Sequence, residues 1–168
     1  MVAVSDSSPL ILYSRIGRFD LLRVIFGDVV IPPAVWQEVV DLASGRAGEV
    51  DVATAPWIRR QAPLDTGALS LLAADLGPGE AEAIVLAREI GWPCTVILDD
   101  LRARRIARRY GLTIVGSAGL LPIAKRLGAI STVAPVLIEL KAAGLYLSAA
   151  KSRELLASVD EGDDEQRT

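Results

Sequence analysis

The sequence predicts an α/β protein built from βαβ units on a parallel sheet. Three features point that way. Short apolar runs alternate with longer amphipathic stretches, prolines and glycines punctuate the joins, and aspartates follow two of the apolar runs directly.

Val2–Val4, Val29–Ile31, Thr95–Leu98 and Leu112–Val115 are short, mostly β-branched runs that read as buried strands. Trp57–Arg60 is a fainter fifth, so the sheet has four or five strands. Ser8 can cap a helix with Pro9 at its first position, Pro32-Pro33 precedes Ala34-Val35-Trp36, and Pro78 precedes Glu80. Gly17, Gly91, Gly111 and Gly128 stand where helices stop. Helices are expected near 9–16, 18–26, 33–44, 66–75, 79–90, 100–110, 117–127, 133–143 and 148–158, with 45–56 as the main irregular stretch.

At 168 residues the chain fits one domain, expected over 1–159 and followed by an acidic, disordered tail over 160–168. No run approaches the roughly 18 uncharged apolar residues that cross a bilayer. The start has no basic region before Asp6, so a soluble, cytoplasmic protein is expected. A single cysteine, Cys94, excludes an intramolecular disulfide. The absence of histidine removes Ser-His-Asp and Cys-His catalysis and zinc held by Cys and His. Carboxylate oxygen is left as the metal ligand, the type suited to Mg²⁺ and Mn²⁺.

The formal charge is −3, but five of the 21 acids lie in the last nine residues beside one base, Arg167. The body therefore carries 16 acids against 17 bases, and a low isoelectric point does not argue against a nucleic-acid partner. Fifteen of the 18 bases are arginine, the side chain suited to bidentate phosphate contacts, although a GC-rich genome gives the same bias.

Asp6 follows the first strand, and Asp99 and Asp100 follow Thr95–Leu98. Ligands of open parallel sheets bind beyond the carboxyl ends of the strands, so both sites fall on the edge where chemistry is expected. Taken singly, each aspartate reads more simply as a helix cap. Glu80 and Glu82 open the helix at Pro78, where the helix dipole favours negative charge. Helical spacing puts Glu80 on the stripe of Ile84 and Ala87, near the inward face, and aligns Glu82 with Leu86 and Glu89, toward solvent. Glu38 falls with Gln37 and Asp41 on the polar side of its helix, opposite Val35, Val39 and Leu42, and reads as solvated.

Asp100–Tyr110 carries five arginines on one helix. Ala103, Ile106, Ala107 and Tyr110 form its apolar stripe, Arg102, Arg105 and Arg109 one flank, and Arg104 and Arg108 the other. A solvated face is the ordinary meaning of such a run. A basic helix leaving an acidic cluster is also what holding a phosphodiester over a metal requires.

The segments Asp6–Ile11, Ile16–Leu22, Phe26–Val35 with Glu38–Val40, Gly79–Ile84, Leu98–Arg104 and Gly116–Leu120, in this order, resemble the PIN domain. Within it they resemble a prokaryotic PIN-like branch related to VapC-type toxins, over residues 1 to about 157. The resemblance implies a three-layer fold with a parallel sheet of order 3-2-1-4-5. It implies three or four carboxylates holding Mg²⁺ or Mn²⁺, hydrolysis of RNA phosphodiesters, and toxin activity restrained by a co-expressed antitoxin. Carried over by position, the strand-1 acid is Asp6, the helix acid Glu38, the central-helix acid Glu80, and the acid after strand 4 is Asp99 or Asp100. Many PIN nucleases have aspartate where Glu80 stands, and this chain doubles both acidic positions, so Glu80 or Glu82 is left open as well.

The expectation is a Mg²⁺- or Mn²⁺-dependent endoribonuclease with catalytic, metal-binding Asp6, Glu38, Glu80, Asp99 and Asp100. RNA is held by Arg102, Arg105 and Arg109, and Ser117 either orients a water or phosphate or, more simply, caps the helix after the last strand. A homodimer is left open. The alternative is a non-catalytic PIN-like module that binds a protein or RNA. A doubly wound nucleotide-binding protein is disfavoured, because no glycine-rich loop follows the first strand.

Overall fold

The structure is a computed structural model that describes residues 2–42, 45 and 47–162. The elements run β1 (Val2–Ser5), α1 (Ser7–Arg15), α2 (Asp20–Phe26), β2 (Val29–Ile31), α3 (Pro33–Trp36), a π-helical turn (Gln37–Asp41), α4 (Glu49–Thr54), β3 (Ile58–Arg60) and α5 (Thr66–Leu72). They continue with α6 (Pro78–Ile90), β4 (Cys94–Ile97), α7 (Leu101–Arg109), β5 (Thr113–Val115), α8 (Ser117–Arg126), α9 (Ala134–Ala142) and α10 (Ala149–Ala157).

The five strands form one parallel sheet in the order β3-β2-β1-β4-β5. After β3 the chain crosses to the other side of β1 and adds β4 and β5, so the switch point lies between β1 and β4. Their register pairs Ser5 with Ile97, which sets the residues after both strands side by side. Successive strand residues point to opposite faces and build two cores. Ala3, Val29, Ile31 and Ile97 pack under α1, α2, α8 and α9, whereas Val4, Val30, Val96 and Leu98 pack under α5, α6 and α7. That is a three-layer sandwich of helices, sheet and helices.

Two local expectations change. Helix α4 lies inside the stretch expected to be irregular. Its six residues bury only Val52, which lies in the core beside Val39. Gly48 opens it at φ 97, and a Cβ there would stand 3.1 Å from Val39 Cγ1, so glycine is needed for both backbone and space. The second change follows Trp36, where the helix widens into a π turn. That turn resets the angular positions that α-helical spacing assigns, and Leu42, expected on the apolar side, is exposed.

Glu161, placed with the tail by composition, accepts the backbone N–H groups of Val133 and Ala134, each at 2.8 Å, and the Lys125 ammonium at 2.7 Å. It belongs to the start of α9; residues 163–168 of the expected tail lie outside the described residues.

Candidate active site

The carboxyl edge of the sheet collects the acids. Asp6 leaves β1, and its N–H donates to Ile97 O at 3.1 Å, tying it to the end of β4. The side chain is 4% exposed and, although it stands at the N-cap of α1, it accepts no capping hydrogen bond. The cap reading therefore fails for Asp6. Burial, together with the negative charges of Glu80 and Glu38, pushes its carboxyl up to about 7.

Glu38 is half-buried rather than solvated, because the π turn presents it to Asp6. The Ser7 hydroxyl joins the two, donating to Glu38 Oε2 at 2.5 Å and lying 3.3 Å from Asp6 Oδ1. Over them runs the first turn of α6. A Cβ at Gly79 would meet Asp6 Oδ1 at 3.0 Å and both Glu38 oxygens at 3.2 Å, so three carboxylate oxygens converge on one backbone position that only glycine leaves open.

Glu80 and Glu82 divide differently from their helical phases. Glu80 is half-buried and folds back so that Oε2 accepts the Gly77 N–H at 2.9 Å. Its carboxyl is raised by burial and by the charges of Asp100 and Glu38. Glu82 does not face solvent: its Oε2 accepts the Ala34 N–H at 2.8 Å and so caps α3. Helical phase misjudges it because α6 buries Ala81, Ala83, Ile84, Val85, Leu86 and Ala87 around most of its circumference, leaving no wide polar face.

The pair after β4 also separates. Asp99 accepts both the Ser117 N–H, at 2.7 Å, and the Ser117 hydroxyl, at 2.6 Å, which occupies both its oxygens at the start of α8. Asp100 uses Oδ1 to cap α7 through the Ala103 N–H at 2.7 Å. Its side chain is exposed. Ser117 is fully buried; it neither caps α8 nor opens onto the cleft, and its hydroxyl serves Asp99.

On α7, Arg102 pairs with Asp75, and Arg104 is half-buried against Leu98 O at 3.2 Å. Arg105 and Arg109 are exposed and make no ion pair among the described residues. Tyr110, assigned to the apolar stripe, lies under the Arg88 guanidinium at 5.5 Å.

Among the described residues no three acids close into a ready-made ligand shell. The donor chemistry nevertheless fits a hard divalent ion. Mg²⁺ keeps several waters and is held by one or two carboxylates, and Asp6 and Glu38 supply such a pair of converging, oxygen-only donors. Cys94 offers no competing chemistry: it is buried, and its thiol is pushed up to about 11. Sequence reasoning misses Ser7 and Gly79. Ser7 could have been found as the hydroxyl beside Asp6, whereas Gly79 reads only as a helix start.

A parallel sheet of this order, with acids gathered at its switch point, defines a three-layer α/β protein of PIN-like architecture. The family model described as PIN domain matches residues 2–161, and the chain belongs to that family. PIN domains are in general nucleases that use divalent metal ions. No curated protein matches the chain. Among solved structures it is similar to a PilT N-terminus domain protein from the hyperthermophilic archaeon Sulfolobus solfataricus P2, at 17% identity over 74% of this chain and 93% of that one, with a TM-score of 0.48.

Proposed function

We propose that the protein is a Mg²⁺- or Mn²⁺-dependent endoribonuclease acting in the cytoplasm as the toxin of a toxin–antitoxin pair. The observation that carries the reading is the convergence of Asp6 and Glu38 oxygens over Gly79, with Glu80 coupled to both electrostatically and Asp100 coupled to Glu80. Asp6 and Glu38 would hold the ion, with Asp100 and Glu80 at its flank. When bound, it lowers the pKa of a coordinated water and neutralises charge developing on the phosphate. Ser7 fixes the Glu38 carboxylate, and the close backbone of Gly79 keeps the site narrow. Arg105 and Arg109 hold the RNA backbone by charge-assisted contacts. The antitoxin and any homodimer belong to the same proposal through family membership alone.

A second reading, a non-catalytic PIN-like module binding a protein or RNA, is favoured by the structural bonds of the flanking acids: Glu80, Asp99 and Asp100 all accept helix-start amides. Thermal unfolding of wild type and Asp6→Asn, each in EDTA and in excess Mn²⁺, together with RNA cleavage, separates the two. The nuclease reading expects a Mn²⁺-induced rise in Tm and Mn²⁺-dependent cleavage, both lost in Asp6→Asn. A mutant that keeps the full Mn²⁺ shift removes Asp6 from the site, and cleavage undiminished in EDTA sinks the mechanism.

A further inference from the structure

Beside Asp99 and Asp100 opens a cleft of about 740 Å³ that the carboxylate chemistry leaves unused. One wall is α1, through Ser8, Ile11, Leu12 and Arg15; the other is the segment Gly144–Ser148 with Lys151 of α10. Its lining is mainly aliphatic, and its volume lies within the range of small-molecule sites. Tyr146, on that wall, is 86% exposed, so its ring is presented to solvent.

The cleft is lined by charges of both signs, and Asp99 and Asp100 supply its carboxylates. Arg15 contributes a guanidinium that donates to Ala143 O at 2.9 Å and faces no carboxylate within ion-pair distance among the described residues, whereas Lys151 is already paired with Glu154 at 2.7 Å. An apolar slot lined by an exposed aromatic ring, an unpaired guanidinium and carboxylates matches one nucleotide. The base would stack on Tyr146 and one flanking phosphate would meet Arg15, leaving the next phosphate for the carboxylate site, where Asp6 and Glu38 would hold the ion.

We propose that this cleft seats one unstacked nucleobase of a single-stranded RNA, with Tyr146 as the stacking residue that positions the neighbouring phosphate at the carboxylates. The inference rests on the nuclease reading for the identity of that phosphate. It makes Tyr146 a positioning residue outside the acidic cluster. A base held in a duplex cannot enter the slot, so selection for single strands follows from its shape.

The test is the affinity of the full-length chain for an end-labelled RNA heptamer in EDTA, read by fluorescence anisotropy, with a series of heptamers carrying one abasic position each and a blunt duplex. Tyr146→Ala should weaken single-strand binding by roughly tenfold, the scale of one base–aromatic stack. Tyr146→Phe should retain it, and duplex binding should not change. In wild type one abasic position should cost the same factor, and that cost should vanish in Tyr146→Ala, since base and ring are two halves of one stack.

Equal affinity of wild type and Tyr146→Ala, or a loss shared equally by every abasic position and the duplex, overturns the slot. So does a wild type that self-associates in sedimentation while Tyr146→Ala is monomeric with unchanged RNA affinity, because the occupant is then a second copy. Mn²⁺-dependent cleavage is scored separately. Cleavage without base–Tyr146 coupling removes the slot and leaves the nuclease, whereas coupling without cleavage supports the slot and removes the hydrolytic reading.

Discussion

Ser7 donates its hydroxyl to Glu38 Oε2 at 2.5 Å across 31 residues of sequence, and the same Ser7 oxygen lies 3.3 Å from Asp6 Oδ1. One proton cannot serve both carboxylates. The short bond fixes Glu38, and Asp6, raised to about 7, can carry a proton of its own toward Ser7. The metal-free site thus holds a buried Asp6 carboxyl poised near neutrality, and its behaviour with pH follows.

Asp6 binds a proton more tightly in the folded chain than in the unfolded one, where its pKa is the ordinary 3.8. Between these values the native state holds more protons, so stability falls as pH rises. The contribution is fully present below about 4 and lost above about 7, amounting to an upper figure of about 4 kcal/mol at 1.36 kcal/mol per pH unit. Urea unfolding in EDTA should show wild type losing stability from pH 5 to pH 8, with a smaller loss in Asp6→Asn. Mn²⁺ stabilisation should grow over the same interval, because the ion must displace that proton. Equal slopes in the two proteins would show that Asp6 titrates normally.

Gly79→Ala places a methyl group 3.0 Å from Asp6 Oδ1 and 3.2 Å from both Glu38 oxygens. The gain in helix propensity, about 1 kcal/mol, offsets part of the crowding, so metal-free stability should change little. Pushing the carboxylates apart should nevertheless lower cleavage by on the order of tenfold to a hundredfold. Circular dichroism melts in EDTA check the first expectation and initial rates in Mn²⁺ the second. Wild-type rates in the variant would mean that the oxygens need not converge there.

Asp99 and Asp100 should respond oppositely to amide substitution. Asp99→Asn loses a charged acceptor from Ser117 and should destabilise by about 1–3 kcal/mol, since hydrogen bonds to charged groups are worth that much. Asp100→Asn keeps a good cap on α7 and should leave Tm nearly unchanged while weakening Mn²⁺ binding. Unfolding curves and Mn²⁺ titrations of both variants decide which acid is the ligand.

Arg105→Ala/Arg109→Ala should lower the slope of log K against log salt by about 1–2, roughly one for each phosphate no longer neutralised by a guanidinium. Arg102→Ala should matter less, because Arg102 already pairs with Asp75. An unchanged slope in the double variant would reduce the arginine flank to a solvated surface.

The class of fold, and the edge on which the acids lie, can be read from residue order alone. Strand runs such as Val29–Ile31 and Thr95–Leu98 are short and largely apolar, and aspartates placed after β1 and β4 fall at the carboxyl edge whatever the details of packing. Periodicity also finds α7 and buries Ala103 and Ala107 as expected, whereas Tyr110 of the same stripe is exposed and Arg104 is half-buried. Which acids meet is settled by the assembled fold. Glu38 turns toward Asp6 through a π turn that no α-helical spacing encodes, and Glu82 is spent on α3 because α6 is buried nearly all round. Asp99 is drawn to Ser117 by the pairing of β4 with β5, and Gly79 matters only because two carboxylates from other elements arrive beneath it. Each of these joins segments distant in sequence, and such meetings are fixed by packing rather than by the local pattern.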